Sequence, residues 1–227
     1  MEMLESEIRT DIFDVEEPFA DELERMVVRC FHGCRTEDAG HYLIHGIRAH
    51  RRDELEARLR AMIAEDERLR WMAPTLSERM AEFPSATDEH RSYVVLDDRF
   101  MLEHAAHYLI YGSEWIAAVL GRSWRHPLLE RGVPTMIEVD LPLSWVTLGM
   151  RKALSRLLLS EWTRQTVDKP AHVYQRSFTF ILDRDLPPEI VAGHYHPETM
   201  KDPWDGRAVY RSPRTVCEHC GNNDGRG

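Results

Sequence analysis

Apolar and polar positions follow one another in blocks that predict four strands and several helices. Short apolar runs predict strands at Met26–Phe31, Arg91–Leu96, Met136–Leu141 and His172–Leu182. Apolar residues spaced three or four positions apart predict helices at Thr36–Arg48, Arg51–Trp71, Met101–Leu120 and Ser144–Thr166, after a polar helical approach at Glu16–Arg25. Because strands and helices do not alternate regularly, the pattern predicts an α+β domain.

Length and composition predict the size of the domain and its location in the cell. The chain has 227 residues, of which 43% are hydrophobic and 30% charged, as in a globular domain with helical insertions. We expect one domain over 1–212 and a flexible, cysteine-containing tail over 213–227. No apolar run approaches the ~20 residues of a membrane span, and the acidic N-terminus does not resemble a signal peptide, so we expect a cytoplasmic protein without membrane association. A net charge of −10 argues against broad binding to nucleic acid.

The first predicted strand ends in Phe31-His32-Gly33, followed by Cys34. A strand that ends in His-Gly would aim an imidazole into a cleft, beside a backbone with no side chain in the way. A flat heteroaromatic ligand could then lie against that backbone and hydrogen-bond to its N–H and C=O groups. A plain turn without a ligand is the alternative for these residues taken alone.

Four short blocks, in order, resemble the motifs of the ADP-ribosyltransferase superfamily of the diphtheria-toxin and PARP type. The first combines Phe31-His32-Gly33-Cys34 with Ile44-His45-Gly46-Ile47, and Cys34 stands where the family prefers Thr or Ser. The second block is Tyr93–Asp98, followed by a helix that carries Ala105, Ala106, Tyr108 and Tyr111. The third block is Met136–Pro142. The fourth is His172–Leu182, followed by Leu186–Ile190. The resemblance implies a split antiparallel or mixed sheet with helical insertions.

The same resemblance implies an NAD site. The implied NAD-binding residues are His32, Gly33, Cys34, Tyr93, Tyr108 and Tyr111. Tyr108 or Tyr111 would stack on the positively charged nicotinamide ring. Tyr93 could equally be a core or edge aromatic residue without a ligand, because a shift of one residue in the alignment would place its side chain on the opposite face of the strand.

The catalytic position departs from the family pattern. The family uses a glutamate that holds the ribose 2′-hydroxyl and stabilises the oxocarbenium-like centre, whereas this chain has Gln175, or alternatively Ser177, at the matching position. A glutamine can hydrogen-bond the hydroxyl but supplies no negative charge. Glu138 or Glu114 could supply a carboxylate from another element.

The resemblance implies an enzyme that transfers ADP-ribose from NAD to a protein or nucleic-acid acceptor, with His32, Tyr108 and Gln175 as catalytic residues. The resemblance suggests the role of a bacterial toxin or defence effector. The alternative is a non-catalytic protein on the same fold that binds a nucleotide or a partner, with a structural zinc.

Cysteine and histidine pairs raise the zinc alternative. Cys30-x3-Cys34 and Cys217-x2-Cys220 could together form a tetrahedral site, or the second pair could be a reduced thiol pair in a solvent-facing tail. Histidines at His104 and His107 and in His194-x-His196, with Glu198, suit zinc or non-haem iron. The sequence alone assigns no residue as a metal ligand.

Overall fold

Five antiparallel strands form the centre of the fold. A computed structural model describes residues 12–83, 90–168 and 177–223. The strands of the central sheet are β1 (Val27–Thr36), β2 (Ser92–Val95), β3 (Val133–Pro142), β4 (Thr179–Leu182) and β5 (Val191–Tyr195). Their order is β4-β2-β1-β3-β5, and each neighbouring pair is antiparallel. A separate hairpin joins β6 (Thr199–Asp202) to β7 (Ala208–Arg211). The predicted α+β class and the antiparallel sheet are confirmed.

Helices cover both faces of this sheet. They are α1 (Ile12–Leu23), α2 (Gly40–His45), α3 (Arg52–Glu65), α4 (Leu76–Glu82), α5 (Asp98–His104), α6 (His107–Tyr111), α7 (Glu114–Leu120), α8 (His126–Leu129), α9 (Leu148–Thr163) and α10 (Glu218–Asn223). Short 3₁₀ segments lie at Arg70–Thr75, Leu143–Trp145 and Pro188–Ile190, and a π-helical turn at Arg164–Asp168 follows α9. Among the described residues, none of the helices is both long and apolar enough to cross a membrane.

Side chains of the central strand β1 alternate between two hydrophobic cores. Phe31 packs into the core built by α3 to α8 and the β6–β7 hairpin, whereas Cys30 and Cys34 pack into the core beneath α1 and α9. This alternation is the ordinary consequence of strand geometry, in which successive side chains point to opposite faces. We call these faces the Phe31 face and the Cys30 face.

Strand β1 is longer than its apolar run. It was predicted to end at the His-Gly pair, and this is wrong, because pairing with β3 continues from Val27–Pro142 to Thr36–Val133. The extension holds a buried charged residue, Arg35, whose guanidinium donates to the backbone carbonyls of Leu109, Leu129 and Arg131. Those bonds offset the cost of burying the cation. His32 and Gly33 therefore lie in the middle of a strand.

The helix predicted over Met101–Leu120 is three helices, α5, α6 and α7. The backbone breaks after α6 because Gly112 adopts a φ of 82°, a left-handed conformation that glycine tolerates. Ser113 then caps α7 by accepting a hydrogen bond from the Ile116 N–H. Asp97 caps the start of α5, where its side chain accepts a hydrogen bond from the Arg99 N–H.

Two other predicted segments differ from the structure. Of the predicted fourth strand, the last four residues form β4, Ser177 and Phe178 lie outside the strand, and the earlier residues, including Gln175, lie outside the described residues. In the segment predicted as a flexible tail, helix α10 forms and Cys217 is only 4% exposed.

Candidate functional sites

The pairing between neighbouring strands of the central sheet is shortest between β1 and β2. The two strands share one registered pair, Phe31 with Val95, whereas β1 and β3 remain paired along the whole of β1. Beside that pair, Nδ1 of His32 lies 2.9 Å from the carbonyl oxygen of Tyr93. A carbonyl only accepts, so Nδ1 carries the proton and Nε2 of the neutral ring keeps a free lone pair. His32 thus presents a hydrogen-bond acceptor at the junction.

Burial keeps this imidazole neutral. It lowers the pKa of His32 to about 4, with a smaller contribution from His50; the bond to Tyr93 acts in the opposite direction. The Tyr42 ring lies 6.3 Å from the His32 ring, and the His50 ring lies 6.1 Å from that of Tyr93. Tyr42 and His50 are not part of the sequence motif, although both follow the His-Gly pair and Tyr42 lies one turn before Gly46.

The backbone at Gly33 is covered, not open as predicted. Gly33 belongs to the Phe31 face, and a Cβ added to it would lie 3.0 Å from Sδ and 3.1 Å from Cγ of Met101. Met101 is buried in α5. A ligand that lies flat against Gly33 would have to displace this side chain.

Cys34 shares the Cys30 face with His32 and is buried. Its Sγ donates to the Thr135 carbonyl at 3.6 Å. Burial raises the pKa values of Cys34 and Cys30 to about 12, so both remain neutral thiols. A buried thiol of this kind packs as a small hydrophobic group and is a poor nucleophile.

The tyrosines predicted to stack on nicotinamide lie on the other side of the sheet from His32. Tyr108 and Tyr111 belong to the core of the Phe31 face. The Tyr108 hydroxyl donates to Glu114 at 2.7 Å, and the Tyr111 hydroxyl donates to Asp202. The structure therefore does not place Tyr108 on the same face as His32.

The two alternative carboxylates also have partners. Glu138 in β3 is registered against Phe31, and its Oε2 lies 2.5 Å from Nη1 of Arg29. Interactions with His107 and Tyr108 lower the pKa of Glu114, whose Oε2 lies 3.7 Å from Nε2 of His107. Because residues registered across a pair share a face, Glu138 lies on the Phe31 face and not beside His32.

A cavity of about 500 Å³ opens at the end of β1. Tyr42 and Tyr111 line it together with three arginines, Arg35, Arg58 and Arg131. The guanidinium of Arg35 is bound to backbone carbonyls and that of Arg131 pairs with Glu65. Within 12–83, 90–168 and 177–223, Arg58 has no hydrogen-bond or ion-pair partner, so its charge is available to an anion in this cavity.

No family model, curated protein or solved structure matches the chain.

A second cluster lies on the Cys30 face, at the edge of the sheet. The side chains of His194, His196, Cys217 and Cys220 each place one ligand atom within 4.8 Å of the others. The sequence presented these residues as halves of two different metal sites. In the described parts of the chain, this cluster includes neither Cys30 and Cys34 nor the second histidine pair, His104 and His107.

Burial keeps both histidines of this cluster suited to metal binding. It lowers the pKa values of His194 and His196, with additional repulsion between neighbouring imidazoles at His194. A neutral imidazole has the lone pair that a metal requires. Glu198, which the sequence analysis added to this pair, is exposed and does not belong to the cluster.

Proposed function

We propose that this protein is a cytoplasmic, NAD-binding, ADP-ribosyltransferase-like protein whose ligand site is the junction between β1 and β2. The observation that carries the proposal is the side-chain bond from His32 to Tyr93. That bond fixes the imidazole tautomer and orients Nε2 as an acceptor for a ribose hydroxyl. The single registered pair between β1 and β2 supports a sheet that is split at this point, as the resemblance implies.

The neighbouring cavity supports an anionic ligand. Tyr42 connects the two regions, because its ring is close to His32 and also lines the cavity. Arg58 lies in the same lining and offers a cation to the pyrophosphate of a dinucleotide. A ligand that spans from His32 to Arg58 would use both features.

The proposed reaction breaks the bond between nicotinamide and the ribose C1′ carbon. Nicotinamide leaves as a neutral molecule with the bonding electron pair, and a nucleophile of a protein or nucleic-acid acceptor forms the new bond to C1′ and loses its proton. Positive charge develops on the ribose in this step, so a nearby anion would lower the barrier. Gln175 holds the ribose hydroxyl in this proposal but contributes no charge. A toxin or defence effector is the role that the resemblance suggests.

A non-catalytic nucleotide-binding protein is the second candidate. Two observations favour it: Gln175 stands at the position of the catalytic acid, and Met101 fills the space over Gly33. Glu138 and Glu114 already have partners of their own.

Nicotinamide release separates the two candidates. Purified protein is incubated with NAD and candidate acceptors, and free nicotinamide is measured by chromatography for the wild type, His32→Ala and His126→Ala. The His126 side chain is 72% exposed on α8 and serves as the matched control. Release that is lost in His32→Ala and kept in His126→Ala supports the transferase. Binding of NAD without release supports the second candidate, and absence of both contradicts the NAD site.

A further inference from the structure

We propose that His194, His196, Cys217 and Cys220 bind one zinc ion, which joins helix α10 to the edge strand β5. The four residues come from two short motifs, His-x-His at the end of β5 and Cys-x-x-Cys at the start of α10. Twenty-six positions separate His194 from Cys220. The site is independent of the proposed NAD function.

The spacing of the ligand atoms matches a tetrahedral zinc site. With Zn–S bonds of about 2.3 Å and Zn–N bonds of about 2.05 Å, a regular tetrahedron has edges of about 3.8 Å between sulfurs and about 3.5 Å between sulfur and nitrogen. Here the two sulfurs are 3.8 Å apart, and Sγ of Cys220 lies 3.2 Å from Nε2 of His194 and 3.6 Å from Nε2 of His196. Two of these edges therefore match the lengths that a shared zinc ion requires, and the third, from Cys220 to His194, is about 0.3 Å shorter.

A backbone carbonyl and a hydroxyl group orient one of the histidines. Nδ1 of His196 lies 3.1 Å from the carbonyl oxygen of Pro134 and 3.1 Å from Oγ1 of Thr135. A proton on Nδ1 satisfies the Pro134 carbonyl and leaves the lone pair of Nε2 directed at the sulfurs. Metal-bound histidines commonly donate their other ring N–H in this way.

The donor set identifies both the metal and its role. Two thiolates with two imidazoles in a tetrahedron favour zinc over calcium or magnesium, which prefer oxygen ligands. On binding, the two thiols release their protons to solvent. Because the protein supplies all four ligands, no position is open for water or substrate, as in a structural site.

The ion would hold the C-terminal segment against the sheet. β5 pairs with β3 and has no second neighbour in the described sheet. Helix α10 contacts this edge strand through His219, whose ring centroid lies 5.6 Å from that of His194. The N–H of Glu218 donates to the carbonyl of Glu37 at 2.9 Å, and the His219 ring packs where Gly40 lacks a side chain. Glu37 lines the cavity described above, so the ion also supports one wall of that cavity.

Zinc content tests this inference directly. The full chain is produced without chelators or an affinity tag that binds metal, and its metals are measured by mass spectrometry. We expect about one zinc per wild-type chain, and a loss of most of it in Cys220→Ser and in His196→Ala. Cys34→Ser and His219→Ala are the matched controls, because Cys34 is a buried thiol outside the cluster and His219 lies between the two cysteine ligands. Both controls should keep the zinc.

Cobalt replacement guards against variants that fail to fold. Wild-type protein reconstituted with Co²⁺ should show the visible bands of tetrahedral cobalt together with a sulfur-to-metal charge-transfer band. Wild-type protein without bound metal, zinc that persists in both ligand variants, or a disulfide between Cys217 and Cys220 in freshly purified protein would overturn the proposal. None of these measurements requires NAD, so failure of the proposed function would leave them unchanged.

Discussion

The Nδ1 atom of His32 lies 2.9 Å from the carbonyl oxygen of Tyr93, so a side chain of β1 satisfies a backbone group of β2. This bond forms beside the single registered pair of the two strands, Phe31 with Val95. It holds the sheet together where backbone pairing is shortest, and it also leaves Nε2 as an acceptor. Structural support and the proposed ligand contact therefore depend on one imidazole.

The pKa of His32 predicts a pH dependence of stability. Because this pKa is about 4 in the folded protein and 6.5 for an ordinary histidine, the unfolded chain binds more protons between these values. The free energy of unfolding should therefore fall as pH drops from about 6.5 towards about 4, by at most about 3 kcal/mol. Urea unfolding at several pH values measures this loss.

His32→Gln is the matched variant for that experiment. Its side-chain amide can still donate to the Tyr93 carbonyl but does not titrate. Other histidines contribute equally to both proteins, so the difference between the two pH profiles isolates His32. If the two profiles were parallel across this range, the neutral, buried state of His32 would be wrong.

The contact between Gly33 and Met101 predicts a coupling energy. Gly33→Ala should destabilise the fold by about 1–3 kcal/mol through overpacking against Met101. Met101→Ala should cost about 2–5 kcal/mol by leaving a cavity. In the double variant the new Cβ occupies part of that cavity, so its loss of stability should be at least about 1 kcal/mol smaller than the sum. Additive losses in chemical denaturation would contradict the close approach.

The same strand shows where sequence reasoning reached its limit. The run from Met26 to Phe31 correctly predicts a strand, because most of its residues are apolar and three of them are β-branched or aromatic. Its continuation through Arg35 depends on three carbonyls supplied by Leu109, Leu129 and Arg131, which are distant in sequence. Local periodicity contains no information about those partners, and so the strand was predicted to end too early.

The ion pair between Glu16 in α1 and Arg156 in α9 should stabilise the packing of these two helices. Its carboxylate is buried and accepts two hydrogen bonds from Arg156, at 2.8 and 2.9 Å. Glu16→Gln should lower the free energy of unfolding by about 1–3 kcal/mol, the usual range for hydrogen bonds to charged groups. The matched change Glu17→Gln removes only an exposed contact with Lys152 and should stay within about 0.5 kcal/mol. Equal effects in thermal denaturation would contradict this assignment.

The positive charge of Arg58 should make the cavity bind anionic ligands. Arg58→Glu should weaken binding of inorganic pyrophosphate and of NAD at least about tenfold, because it replaces the available cation with an anion. Arg60→Glu is the control, since Arg60 lies on the same helix but is not among the residues that line the cavity. Calorimetric titration of both variants measures the change. Equal affinities would exclude Arg58 from the ligand site.

The sequence predicts each of the two ligand pairs of the metal cluster, but not that the two pairs lie together. Cys217-x-x-Cys220 and His194-x-His196 each have the spacing of a ligand pair, and both were identified. The two pairs come together because α10 lies beside β5. That placement depends on contacts distant in sequence, such as the hydrogen bond from the Glu218 N–H to the Glu37 carbonyl. Sequence spacing instead suggested pairing Cys217 and Cys220 with Cys30 and Cys34, which share their hydrophobic core but lie outside the group of four ligand atoms.

Equilibrium binding of NAD to the purified, metal-loaded protein tests the central claim most directly. Calorimetry should detect saturable binding to the wild type and to His126→Ala, and at least about tenfold weaker binding to His32→Ala, since one lost hydrogen bond in a buried site costs about 1.4 kcal/mol or more. Undetectable binding to the wild type, or equal affinity for all three proteins, would contradict an NAD site at the junction of β1 and β2.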